Sequence, residues 1–287
     1  MKAQKAAGGK LRKLFAAIGA VACAAALSST GGLFSGIRAA ENPDADVTAL
    51  SVQTVVLDKA EDFTVTVSLD ELPDTGISAL DFAIAYDPAV LTIDSVNLLY
   101  DTGAEAAEIL VNPDFAGTVF RWENEDGMIR VRWGTGLRDP EFWLREERPF
   151  FTVSGHFGEN AGAGSGSGLK IVPPKRESGE TADAVTAGYL DEAGNPHVCE
   201  TRLTNGGVFV LLDETGATRY GDINLDGDIT TADAILLYRV LAEQSAISAA
   251  AYANADCEFD GVLTIADVSL MLRVINGELE AKALGAH

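Results

Sequence analysis

The sequence predicts a mainly β chain that ends in a small α module, and three observations carry that prediction. Residues 46–212 alternate apolar and polar with period two, the first 40 residues are basic and then apolar, and one 13-residue acidic string occurs twice near the C-terminus, 34 residues apart. The organisation that follows is a leader at 1–40, a β block at 46–212, a short connector at 213–220 and a repeat module over 217–280.

In the leader, Lys2, Lys5, Lys10, Arg12 and Lys13 precede an alanine-rich apolar stretch from Leu14 to Leu27. That is the pattern of a signal peptide, and the apolar run is shorter than the ~20 residues of a spanning helix. The expectation is a secreted, extracellular protein. Every acidic residue lies at position 41 or later, whereas six of the 21 basic residues precede it, which leaves 15 basic against 43 acidic residues. So negative a surface repels nucleic acid and suits cation binding. Past the leader only Cys199 and Cys257 remain, too few for a disulfide framework, and two unpaired thiols are expected.

Within 46–212, period-two runs at 63–69, 79–86, 119–122, 128–133, 150–157 and 207–212 predict strands. Turn chemistry at PDTG (73–76), NEDG (124–127) and the glycine-rich 161–168 separates them, which argues for an all-β sandwich. Only 183–202 reads as weakly structured. Carboxylates are plentiful, but no H-E-x-x-H or G-x-S-x-G string occurs, and a glycosidase needs two carboxylates at a defined separation that spacing cannot supply. His156 on an alternating strand is expected to be structural. Nothing in these residues supports catalysis, and an unusual glycosidase stays open at this point.

The repeated strings are GDINLDGDITTAD at 221–233 and ADCEFDGVLTIAD at 255–267. In the first, Asp222, Asn224 and Asp226 fall at loop positions 1, 3 and 5, Gly227 at 6, Asp228 at 7 with its main-chain carbonyl, and Asp233 at 12. Alternating oxygen side chains on a tightly turned backbone converge on one point, which is how calcium obtains six to eight oxygens. Asp256, Glu258, Asp260, Val262 and Asp267 take the same places in the second copy, so two calcium ions are expected. Nine of 21 aligned positions are identical between 221–241 and 255–275, including Leu236/Leu270 and Arg239/Arg273, which marks a duplication. An EF-hand has a Glu at position 12 and a helix on each side; here position 12 is Asp and TGATRY (215–220) is short and polar. Each unit is read as a loop followed by one helix, 231–241 and 265–275, entered through the capping-box-like Thr230-x-x-Asp233 and Thr264-x-x-Asp267.

Residues 217–280 thus resemble a dockerin, the calcium-dependent plug of cellulosome-type assemblies. The resemblance implies partner contacts at loop positions 10 and 11, Thr231, Ala232, Ile265 and Ala266, and on the helices at Tyr238, Arg239, Leu272 and Arg273. The β block resembles the matching socket, a cohesin, in the string GISALDFAIAYDPAVLTIDSV (76–96), in DGMIRVRWGTG (126–136) and in the closing NGGVFVLL (205–212). That implies a nine-stranded jelly-roll sandwich with a partner-binding sheet face centred on Asp81. The family's Asn two residues earlier is Ala79 here, a departure. Met128, Arg130 and Arg132 share one face of their strand, with Arg121 nearby, and could form a docking patch.

Together these resemblances imply a non-catalytic adaptor scaffoldin: a cohesin that receives dockerin-bearing proteins, and a dockerin that inserts into the cohesin of a larger cell-surface scaffoldin, in support of polysaccharide degradation. The chain is expected to be a monomer by itself, with its two modules close together. The rival reading is a carbohydrate-binding β-sandwich carried by a dockerin, which would need exposed aromatics among Trp122, Trp133 and Trp143.

Overall fold

The computed structural model describes residues 46–102, 117–176 and 179–285. The expected leader at 1–40 lies outside them, and no described helix is long and apolar enough to cross a membrane. The β block folds as β1 (Val47–Val52), β2 (Thr54–Leu57), β3 (Phe63–Glu71), β4 (Ala79–Ala85), β5 (Leu91–Leu98), β6 (Thr118–Glu125), β7 (Met128–Thr135), β8 (Arg148–Phe157), β9 (Gly166–Val172), β10 (Thr186–Leu190), β11 (Pro196–Val198), β12 (Glu200–Thr204) and β13 (Gly206–Val210). One sheet runs β12-β1-β3-β8-β5 and the other β11-β10-β4-β9-β13-β2, with β7 on the free edge of β4 and β6 beyond it.

Alternation places the core. On β3, Phe63, Val65, Val67 and Leu69 point inward and are buried, while the threonines and Ser68 between them stay partly open. On β7, Ile129, Val131 and Trp133 enter the same core, leaving Arg130 and Arg132 on the outer face. Between the sheets Phe151 meets Phe82, Phe120 and Phe150 at centroid separations of 6.1, 5.9 and 5.2 Å. The NEDG turn is a two-residue hairpin with positive φ at Asp126 and Gly127, the conformation whose twist matches its flanking strands.

Among the described residues thirteen strand segments stand where the resemblance implied nine. Two long strands are broken because they change sheets: the first leaves one sheet at Gln53 and joins the other, and the last does the same at Asn205. They run in parallel side by side, β1 along β12 and β2 along β13. Both amide side chains serve backbone freed at the crossing, Gln53 Oε1 accepting from Thr66 N and Asn205 Oδ1 from Ile171 N. The remaining excess comes from 183–202, which is not weakly structured. It holds the hairpin β10–β11, and β10 extends the sheet along β4 through Thr186, Ala187 and Gly188. The two cysteines are free and buried, and burial pushes the Cys199 thiol up to about 11 and the Cys257 thiol up to about 12.

The C-terminal module contains three helices, α1 (Thr231–Leu241), α2 (Ala249–Ala255) and α3 (Ile265–Ile275). Helix α2 corrects the reading of two loop-helix units, since it leads directly into the second loop. It starts at the N-cap Ser248 and runs through alanines, the best helix formers, with too short an apolar stripe to register as a period. Ala234, Leu237, Val268 and Met271 from α1 and α3 share one apolar cluster with Ala251 and Ala255 of α2. Ala217 and Tyr220 of the connector and Leu284 beyond residue 280 are buried in it too.

Truncation of Phe151 to Ala should remove about 3–5 kcal/mol from the sandwich, measured as a lowered urea midpoint followed by the fluorescence of buried Trp133.

Candidate functional site: the paired loops and the outer sheet face

Both loops are closed by the carboxylate at their twelfth position. Asp233 lies three residues into α1 and has no exposed surface; its Oδ1 accepts from Ile223 N and Asn224 N at 2.9 and 3.0 Å, its Oδ2 from Thr230 N at 2.8 Å. Thr230 Oγ1 in turn accepts from Ala232 N at 3.2 Å, completing the capping box. Asp267 repeats the arrangement, with Oδ1 accepting from Glu258 N and Oδ2 from Thr264 N. The Asp at position 12 thus has a double role: it is one residue acting as helix cap and as loop closure.

Glu258 is exposed, and the other expected side-chain ligands follow suit. Asp222, fully buried, accepts from Asp226 N and Gly227 N, and Asp256 accepts from Asp260 N and Gly261 N. Asn224 Oδ1 accepts from Asp226 N, Asp226 Oδ1 from Asp228 N, and Asp260 Oδ1 from Val262 N. Backbone conformation is duplicated with the sequence, since Leu225 and Phe259 at position 4 have φ of 57 and 58°, and Gly227 and Gly261 at position 6 have 86 and 82°. Among the described residues, no three His, Cys, Asp or Glu side chains are already gathered as a metal-binding group. The carboxylates are instead engaged by N–H groups of their own loops, and a full oxygen set requires the Asn224 amide and the main-chain carbonyls of Asp228 and Val262.

The donor chemistry fits a hard divalent cation. Burial, with the charges of Asp233 and Asp226 beside it, raises the Asp222 carboxyl to about 7. Carboxylates that repel one another in a buried turn are relieved by a cation at their centre. Sequence reasoning missed Asn254 on α2, which has no exposed surface. Its Oδ1 accepts from Thr218 N and Arg219 N, and its Nδ2 donates to Thr218 Oγ1 and to the Asp222 carbonyl, so it fixes the entry to the first loop. The signal available was an Asn beside the second loop in an otherwise alanine-rich run.

The implied partner contacts of this module lie on its surface. Thr231, Ala232, Tyr238 and Arg239 are exposed, as are Ile265, Leu272 and Arg273, and Ala266 is half-buried. Ile235, one turn before Tyr238, was not anticipated and is 55% exposed. On the sandwich, Asp81 and Arg132 are cross-strand neighbours, and Arg121 follows Arg132 on the next strand. Asp81 is not a bare carboxylate: Arg130 Nε and Nη2 donate to it at 3.3 and 2.9 Å, and Arg132 Nε stands 3.6 Å away. The expected docking patch is therefore a clamped cluster, with exposed Arg121 at its margin. The Ala79 departure also has a reason, because Ala79 is fully buried with Leu190 and Val198 packed on it, where an amide would lose its water. Trp133 and Trp143 are buried and Trp122 is half-buried against the core, which is not the exposed row a sugar-binding face needs.

The cohesin domain family matches residues 48–132 and the dockerin type I domain family residues 220–276. No curated protein matches the chain. Among solved structures, the sixth cohesin of scaffoldin B from Acetivibrio cellulolyticus is 21% identical, with 58% of this chain and 99% of that one covered and a TM-score of 0.39. A type I cohesin–dockerin complex from Clostridium thermocellum gives 18% identity, 58% and 100% coverage and a TM-score of 0.43. The seventh ScaB type I cohesin from Pseudobacteroides cellulosolvens gives 16%, 58% and 93%, and 0.44.

One pH dependence follows from Asp222. Its folded carboxyl is raised above the unfolded value, so the metal-free protein binds more protons folded than unfolded between about pH 4 and 7 and loses stability as pH rises through that window. After calcium is stripped, Asp222→Asn should flatten the fall in melting temperature between pH 5 and 8.

Both domain types are interaction modules, not catalytic ones; the chain carries a cohesin domain followed by a type I dockerin domain.

Proposed function

We propose that this protein is a secreted, non-catalytic adaptor of a cellulosome-type assembly. Its cohesin receives dockerin-bearing enzymes or binding proteins, and its dockerin inserts, with two calcium ions in its loops, into the cohesin of a larger scaffoldin. The chain thereby changes which cargo an assembly site accepts during polysaccharide degradation.

The observation that carries this reading is the apolar surface of the dockerin helices. Ile235 and Tyr238 on α1 are 55 and 60% exposed, and Ile265 and Leu272 on α3 are 59 and 38% exposed. Large apolar groups held in solvent on rigid helices suit burial by a protein partner. They are not equivalent between the repeats: Thr231, Ile235 and Tyr238 align with Ile265, Ser269 and Leu272. A partner reading α1 would meet a different surface from one reading α3, which favours one orientation in the complex.

Calorimetry with calcium should find two sites, and Asp222→Ala or Asp256→Ala should weaken capture of a scaffoldin cohesin; capture unchanged in EDTA would sink the calcium requirement. Tyr238→Ala and Leu272→Ala should separate the orientations, one costing tenfold or more in affinity, about 1.4 kcal/mol, and the other little. In sedimentation with calcium the chain should run as a monomer, since strong mutual recognition of its two modules in trans would build head-to-tail chains.

A further inference from the structure

The first dockerin loop rests on the chain's own cohesin, and the second does not. On β9, a Cβ at Gly168 would lie 1.8 Å from the main-chain oxygen of Asp226, and one at Gly227 would lie 2.7 Å from Gly168 N. At Gly261, the matching position of the second loop, nothing approaches within 4 Å. Beside this contact the Phe209 ring of β13 lies across Gly166 and Gly207 and belongs to the apolar cluster of the dockerin, with Tyr220, Ile223 and Leu225. Lys170 of β9 is ion-paired with Asp228, and its Nζ is 3.9 Å from Asp226 Oδ1.

Positions 5, 6 and 7 of the first loop are thus held between their own turn and a sheet of the other module. Their backbone must keep the conformation that presents the Asp226 side chain and the Asp228 carbonyl. We propose that the outer face of β9 and β13 is a third wall of the first loop, so that calcium loading of this loop and seating of the dockerin on its own cohesin are one linked equilibrium. The second loop stands outside the linkage. This rests on the proposal that the loops bind calcium, and it makes the loaded chain a stiff connector. Linkage is reciprocal: whatever the seat adds to calcium affinity at the first loop, calcium returns to the seat.

The test uses the full-length chain with Gly168→Val, which obstructs the seat, and Phe209→Ala, which empties its apolar contact. Neither alters a charge, so a changed calcium affinity reports the seat and not a lost ion pair. Circular dichroism of each variant confirms an intact sandwich. With the second loop silenced by Asp256→Ala, both substitutions should weaken the remaining calcium site about fivefold or more. With the first loop silenced by Asp222→Ala, the remaining site should be indifferent to them. Small-angle scattering should show EDTA lengthening the wild-type chain, and Gly168→Val lengthening it with calcium present. Unchanged affinity at the first loop, or equal weakening at both, overturns the linkage and leaves the adaptor reading standing. A wild-type chain that binds no calcium overturns both.

Discussion

The C-terminal module is organised by carboxylates that have been taken out of water. Asp222, Asp233 and Asp267 have no exposed surface, and the donors that meet them are main-chain N–H groups of their own loops together with the capping threonines. Burying an ionised carboxylate costs several kcal/mol unless hydrogen bonds and an opposite charge offset it. The N–H groups supply the first, and a cation in the loop would supply the second. Loop shape and helix start are therefore one problem with one solution, and the duplicated dihedral angles show that both repeats share the loop shape.

That arrangement was legible in the sequence because each part is local. Ligand spacing, the Gly at position 6 and the Thr-x-x-Asp caps sit within 13 residues, and period-two alternation announces each core strand. What escaped depends on partners distant in sequence. The hairpin β10–β11 is short, and its first strand is set by pairing with β4 more than a hundred residues earlier. The clamp of Arg130 and Arg132 on Asp81 joins two strands whose register no spacing reveals. Phe209 looks like one more residue of an alternating strand, yet it faces outward into the cluster of the other module.

The same distinction separates the two interaction surfaces. On the dockerin, the implied contact residues stay in solvent because the helices bury only one stripe, Ala234, Leu237, Val268 and Met271. On the cohesin, the polar centre is already engaged: Asp81 holds two arginines, and the sheet position beside it is covered by Leu190 and Val198. The charges there are already mutually oriented, with Arg130 and Arg132 turned onto Asp81.

The side-by-side run of the first and last strands of the sandwich carries a further consequence. Because β1 pairs with β12 and β2 with β13, the earliest-made segment of the sandwich finds its neighbour about 150 residues later. Contacts of such long range make folding slow, and the edge of the first strand stays open until the last one emerges. The dockerin follows directly, and its cluster needs Phe209 of that last strand. Completion of the sandwich and assembly of the C-terminal module therefore fall in one late window of biogenesis, after the last strand of the sandwich has left the ribosome.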